Sequence, residues 1–235
     1  MRLVHRIVRL CSGLMLTFGF AVVAHPESKS VAAKERERVS EVIACFLSDE
    51  RQLMVGYVTE RRGNPGRLMT SRCAKKTANG HYSRAGSSIS ADVLVGRASV
   101  LLLRQLDLGG YDPVVSTAPD IKRYPPMTVE RMSPTSKLSL KDKVVWMNKV
   151  NETRNVDIAS ECLVRHHPAI ARSLIIAQDG SPTERTIHAN LVANGGACMA
   201  DGALRADPWV LRNAVAQNYL GLLHLADAKF KEKLL

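Results

Sequence analysis

The residues whose types and spacing best suit a binding function lie between positions 61 and 91, a stretch called the basic segment from here on. It contains seven Lys or Arg residues and no Asp or Glu. A dense run of cations without carboxylates favours attraction of a polyanion, although solvated surface charge gives the same pattern. We therefore treat all seven as candidate anion-binding residues: Arg61, Arg62, Arg67, Arg72, Lys75, Lys76 and Arg84.

The distribution of charge along the chain sets this segment apart. Residues 25–150 hold 21 basic and 13 acidic residues, whereas residues 151–235 hold nine of each. The partners that this charge predicts are anionic lipid head groups, acidic glycans or acidic proteins. Nucleic acid is disfavoured, because the basic segment offers only Tyr82 for base stacking.

Catalytic chemistry has weaker support in the sequence. The chain lacks the G-x-S-x-G, H-E-x-x-H, P-loop and G-x-G-x-x-G patterns. Glu60, His81 and the His166–His167 pair could serve a hydrolase only if folding brought them together. The sequence therefore selects no catalytic residue and no cofactor, and an enzyme is the alternative rather than the leading interpretation.

An internal repeat organises the chain around its cysteines. Cys45-Phe46-Leu47 recurs as Cys162-Leu163-Val164, and the same 49-residue spacing leads from Cys45 to Leu94 and from Cys162 to Leu211. Each copy holds one further cysteine, Cys73 or Cys198. If each copy once folded alone, the bridges are Cys45–Cys73 and Cys162–Cys198. Each would close a loop of about 30 residues and stabilise the fold by roughly 3 kcal/mol.

A metal site is not predicted from these cysteines. Zinc sites use thiolates at short spacings such as C-x-x-C, which the sequence lacks. Cys162 with His166 and His167 could form part of a zinc site, but the matching positions in the first copy are Asp49 and Glu50. An even cysteine count in an oxidising compartment favours disulfides instead.

The first 24 residues have the features of a secretory signal. Arg2, Arg6 and Arg9 precede an apolar run from Leu10 to Ala24, which is shorter than the roughly 20 residues that span a bilayer. We expect cleavage before His25, with retention as an anchor as the alternative, and no transmembrane segment after cleavage. The pattern is typical of bacteria and predicts a periplasmic or extracellular protein.

The rest of the chain is predicted to be all-α. Aromatic residues make up 5% of the sequence, which suits packed helices better than a β-sandwich. Apolar spacing predicts two tandem helical units, residues 25–110 and 144–235, joined by a Pro-rich linker over 111–143. The predicted helices span 28–48, 51–60, 67–77 and 90–106 in the first unit; in the second, one opens at Ser181 and ends at Asn194, and the last runs from Pro208 to about Lys231, with a frayed tail after Leu225.

The second unit resembles a group of exported alphaproteobacterial proteins of unknown function. The resemblance rests on Cys162-Leu163-Val164-Arg165, Pro168, Ala171, Cys198, and Leu211-Arg212-Asn213-Ala214 through Tyr219. It implies an all-helical, duplicated, cysteine-paired protein and brings no activity or catalytic residue with it. Together these observations predict a non-enzymatic envelope protein that binds an anionic partner through the basic segment. The alternatives are a periplasmic hydrolase and a purely structural protein.

Overall fold

Every regular element in the described part of the chain is helical. The computed structural model describes residues 26–60, 71–73, 91–123, 125–132, 139–199 and 207–235. Over these ranges the all-α prediction is confirmed. The α-helices are α1 (Pro26–Asp49), α2 (Arg51–Glu60), α3 (Ala91–Leu103), α4 (Asp112–Thr117), α5 (Leu140–His166), α6 (Pro168–Ile176), α7 (Pro182–Asn194) and α8 (Pro208–Ala226). Short 3₁₀ helices span Val129–Arg131, Gly196–Met199 and Ala228–Leu234.

The chain divides into two compact units, residues 1–36 and residues 37–235. The second unit contains helices from both halves of the sequence repeat. The predicted boundaries at residues 110 and 143 stay a prediction.

The helix boundaries repeat along the chain at a constant spacing. Asp49 and His166, the last residues of α1 and α5, lie 117 positions apart. The same spacing separates the first residues of α2 and α6, at positions 51 and 168, and those of α3 and α8, at positions 91 and 208. Cys45 and Cys162 are also 117 positions apart. The repeat seen in the sequence therefore extends to the helical architecture.

Local sequence explains where several helices begin. Ser181 accepts a hydrogen bond from the backbone N–H of Glu184 (3.1 Å), and Asp207 accepts one from the N–H of Trp209 (2.8 Å). Each cap is followed by a proline in the first turn, where the missing N–H costs nothing. The predicted N-cap role of Asp207 is confirmed.

The largest helix interface is formed by α3 and α8. The two helices meet at Gly96, where a Cβ atom would lie 2.7 Å from the Cβ of Asn213. Gly96 and Asn213 are equivalent positions of the repeat, because they too lie 117 residues apart. The two copies thus pack through the same point of each, as expected for copies related by an approximate two-fold axis.

The first described part of the predicted linker, residues 111–123, packs into the core. Val115, Ala118 and Ile121 are buried, and α4 lies within a stretch for which no helix was expected. The helix α5 begins at Leu140, earlier than the predicted boundary at 144. Its start is fixed by Ser139, whose side chain accepts a hydrogen bond from the N–H of Asp142 (3.2 Å).

The C-terminal tail also differs from the prediction. Helix α8 ends at Ala226, because Asp227 accepts the N–H of Lys229 (2.9 Å) and starts a 3₁₀ helix. The tail does not fray, since Phe230 and Leu234 are buried in the core. Its backbone is held at Leu234, whose carbonyl accepts a hydrogen bond from the guanidinium of Arg51 (2.7 Å).

Candidate functional site

The centre of the basic segment is fixed to the end of α1. Cys73 forms a disulfide with Cys45, with Cα atoms 5.6 Å apart. The carboxylate of Glu50 accepts backbone hydrogen bonds from Arg72 (3.2 Å) and Cys73 (3.3 Å). These contacts hold residues 72–73 at the junction of α1 and α2.

Arg72 is the one predicted anion-binding residue that the structure describes. Its side chain is 71% exposed and pairs with the carboxylate of Asp49 (3.0 Å). An exposed ion pair of this kind contributes little to stability. The other six candidates, Arg61, Arg62, Arg67, Lys75, Lys76 and Arg84, lie outside the described residues.

The second copy has an equivalent disulfide, but the stretch that corresponds to the basic segment has the opposite charge. Cys162 is bonded to Cys198, with Cα atoms 5.5 Å apart, so both predicted disulfides are confirmed. The stretch equivalent to residues 61–90 is residues 178–207, called the counterpart segment below. It holds two basic and four acidic residues, against seven and none in the first copy.

Two carboxylates of the counterpart segment form ion pairs with arginines of the protein interior. Asp179 forms ion pairs with Arg97 (2.6 Å), Arg104 (2.9 Å) and Arg212. The side chain of Arg212 is fully buried and also pairs with Glu184. Because Arg97 and Arg104 come from the first copy, these contacts connect the two halves of the repeat.

A second charged cluster attaches the 118–123 stretch to α5. Arg123 pairs with Asp157 (2.7 Å) and with the buried Glu161, and its guanidinium donates to the Asn218 amide oxygen (3.0 Å). Arg165 also binds Glu161 (2.7 Å) and donates to the carbonyl of Ala118 (2.6 Å). The cluster holds residues 118–123 against α5, and both arginines pair with the carboxylate of Glu161.

The arginines keep these carboxylates ionised. Burial by itself would raise the pKa of Asp179, but hydrogen bonds and charge from Arg97, Arg104 and Arg212 outweigh it and lower that pKa. For Glu161 burial is again opposed, by Arg123 and Arg165, and the pKa is lowered. A general acid or base needs a pKa near the working pH, so neither carboxylate suits acid–base catalysis. Their role is structural.

The histidines named as alternatives do not form an assembled site in the described residues. His166 ends α5 with an exposed side chain, and His167 separates α5 from α6 with its backbone N–H bonded to the carbonyl of Leu163 (2.8 Å). The side chain of Glu60 and all of His81 lie outside the described part of the structure. Their convergence with the histidine pair stays a prediction.

Metal binding through the cysteines is blocked by their bonding. Within the described residues, Cys45, Asp49 and Cys73 bring ligand atoms within 4.8 Å of one another. Both sulfurs are in a disulfide, however, and metals are bound by thiolates. The same holds for Cys162 beside His166 and His167.

Known proteins do not assign a role to this arrangement. No protein family, curated protein or solved structure matches the chain. Among the described helices, none combines the length and apolar character needed to cross a membrane.

Proposed function

We propose that the chain is an exported, non-enzymatic binding protein that uses the basic segment on an anionic partner. The supporting observation is the contrast between equivalent parts of the repeat: seven cations without a carboxylate in one copy, and four carboxylates with two cations in the other. Since a duplicated unit starts with two identical copies, this difference arose after duplication.

The anchoring of residues 72–73 supports a surface role. The disulfide and the Glu50 hydrogen bonds hold Arg72, whose side chain is 71% exposed, at the α1–α2 junction. Cations close together in sequence raise the local potential and let one polyanion contact several of them. Export is part of the proposal, and the confirmed disulfides are compatible with it because such bonds persist in oxidising compartments.

The test is binding of the protein to anionic and neutral probes at low and high salt. Phosphatidylglycerol vesicles, a sulfated glycan and an acidic polypeptide cover the three partner classes, and phosphatidylcholine vesicles are the neutral control. Binding to an anionic probe that weakens as salt rises, and that falls when Arg61, Arg67 and Lys75 are changed to Gln, is the expected result. Absence of binding to every anionic probe at low salt overturns the proposal.

A further inference from the structure

The first half of α5 is a second unassigned surface, far in sequence from the basic segment. None of the residues from Ser139 to Val150, called the helical arm from here on, is buried, whereas buried residues of α5 begin at Val156. The helix is first held from the side at Asn151, whose amide exchanges hydrogen bonds with the backbone of Met127 (2.9 Å each). The arm is therefore helical without being covered by the described residues around it.

The arm concentrates apolar side chains that are scattered singly elsewhere. Leu140, Val144, Val145 and Trp146 are all exposed, and the side chain of Leu140 is 69% exposed. Leu140, Val144 and Met147 are spaced by four and three residues, so they line one side of the helix. Clustered apolar exposure of this kind indicates an interaction surface, unlike the isolated exposed Ile176 or Val192.

Lysines flank this apolar stripe. Lys141 and Lys143 follow Leu140 on either side of the stripe, and Lys149 lies on the opposite side of the helix. No carboxylate of the described residues lies within 4.0 Å of their ammonium groups. Asp142, which stands between Lys141 and Lys143, is bonded instead to the hydroxyl of Ser139 (2.6 Å). The arm thus offers apolar contact and positive charge together.

We infer that the helical arm binds the interface of an anionic lipid bilayer. An interfacial helix buries apolar side chains at the head-group level while its lysines contact anionic head groups, and tryptophan favours the same depth. Long lysine side chains can extend away from the apolar stripe to reach the head groups. This inference is carried by α5 alone and does not depend on the basic segment, because the two surfaces use different residues.

Trp146 reports directly on the arm. Its emission is measured for the full chain with vesicles of phosphatidylcholine and with vesicles of phosphatidylcholine and phosphatidylglycerol in equal parts. We expect a blue shift with the anionic vesicles only, and loss of that shift in Trp146→Phe, in which the half-buried Trp209 is the remaining tryptophan. An unchanged Trp146 emission with anionic vesicles overturns the inference.

Variants separate the lipid surface from other occupants. The double variant Leu140→Asp, Val144→Asp should need at least about ten times more lipid to give the same Trp146 shift. The double variant Lys141→Glu, Lys143→Glu should also need more anionic lipid for that shift. Ile176→Asp, at a site 57% exposed on α6, is the matched control and should leave the shift unchanged. A shift that grows with protein concentration in the absence of lipid would instead assign the arm to a second copy of the chain. Neutralising the basic segment should not remove the Trp146 shift, so failure of one proposal is distinguishable from failure of the other.

Discussion

The basic segment and its counterpart segment occupy equivalent positions of a repeated unit, yet their charges are opposite in sign. In the counterpart segment, Asp179 and Glu184 neutralise arginines that are buried between the two copies. In the basic segment there is no carboxylate at all, and the centre of the segment is held from outside by Glu50 of the α1–α2 junction. One copy uses its charged segment to complete the core, and we propose that the other uses its cations on an anionic partner.

This difference indicates which residues of a duplicated protein are candidates for its function. Both copies retain the helix register and the disulfide, so these features belong to the shared fold. Residues that differ between equivalent stretches are not fixed by the shared fold, so they can serve a function specific to one copy. The following predictions test whether the two segments are as different in role as in charge.

The largest effects should come from removing the disulfides. Replacing Cys45 and Cys73 by Ala, or Cys162 and Cys198 by Ala, opens loops of 28 or 36 residues in sequence separation. Each change should lower the free energy of unfolding by about 3–4 kcal/mol, because the chain-entropy cost depends only weakly on loop length. Urea unfolding measures both. We expect near-equal losses in stability, with anion binding lost only in the variant without Cys45 and Cys73. Equal loss of binding in both variants would mean that the two segments do not differ in role.

Removing the carboxylate of Asp179 should destabilise the protein by about 3 kcal/mol. Asp179→Asn leaves Arg97 and Arg212 buried with less compensation, which is more costly than losing an exposed pair. The control is Asp120→Asn, whose side chain is fully exposed and lies 3.4 Å from Arg165; it should change stability by less than about 0.5 kcal/mol. Equal effects of the two changes would mean that the counterpart segment is not part of the core.

The helix crossing between the copies should not tolerate a methyl group. Gly96→Ala places a Cβ 2.7 Å from that of Asn213 and 3.1 Å from its backbone oxygen, which cannot move freely. We expect a loss of about 1–3 kcal/mol in thermal or urea unfolding. Gly56→Ala is the matched control, because it also lies within a helix and its Cβ would meet only the end of Lys231 at 3.8 Å. That variant should be neutral or up to about 1 kcal/mol more stable.

Acid should weaken the ion pairs of Glu161 and Asp179, which attach residues 118–123 and the counterpart segment to the rest of the fold. The pKa values of Glu161 and Asp179 are lower in the folded protein than their usual values of 4.5 and 3.8. Their stabilisation is therefore complete above those values and is lost as pH falls through them towards the folded-state pKa. Unfolding free energies measured by urea between about pH 6 and about pH 3 should decrease, and Glu161→Gln should show a shallower decrease. An identical pH slope for that variant would exclude Glu161 from the acid response.

Sequence patterns predicted the parts of the fold that depend on local spacing. The N-cap at Asp207 and the stop after Asn194 follow from capping residues, proline and glycine. The disulfides followed from the repeat, because only one of three pairings keeps each copy independent. The tail after Leu225 was misjudged because its 3₁₀ helix is stabilised by distant contacts, such as that of Arg51 with the Leu234 carbonyl.

The buried ion pairs could not be predicted from spacing. Asp179 and its partners Arg97 and Arg212 are separated by dozens of residues, and charged residues usually lie in solvent. One signal was present: Arg212 stands among Leu211, Val215 and Leu220 on a helix whose apolar residues are buried. A cation on such a face needs a buried partner, and the search for it would have led to the counterpart segment.

The most direct test of the account is a matched neutralisation of cations inside and outside the basic segment. One variant carries Arg61→Gln, Arg67→Gln and Lys75→Gln in the basic segment, and the control carries Lys122→Gln, Arg185→Gln and Lys229→Gln, which are exposed and distributed outside it. Both lose the same net charge, so a difference between them reports location. All chains carry Leu140→Asp and Val144→Asp, so that the helical arm does not contribute to vesicle binding. With phosphatidylglycerol vesicles, the first variant should then bind about 100-fold more weakly and with a smaller salt dependence, at about 1 kcal/mol per cation, and the control should bind nearly as the chain without these charge changes does. Equal weakening in both variants would show that total charge, and not the basic segment, governs binding, and would contradict the account.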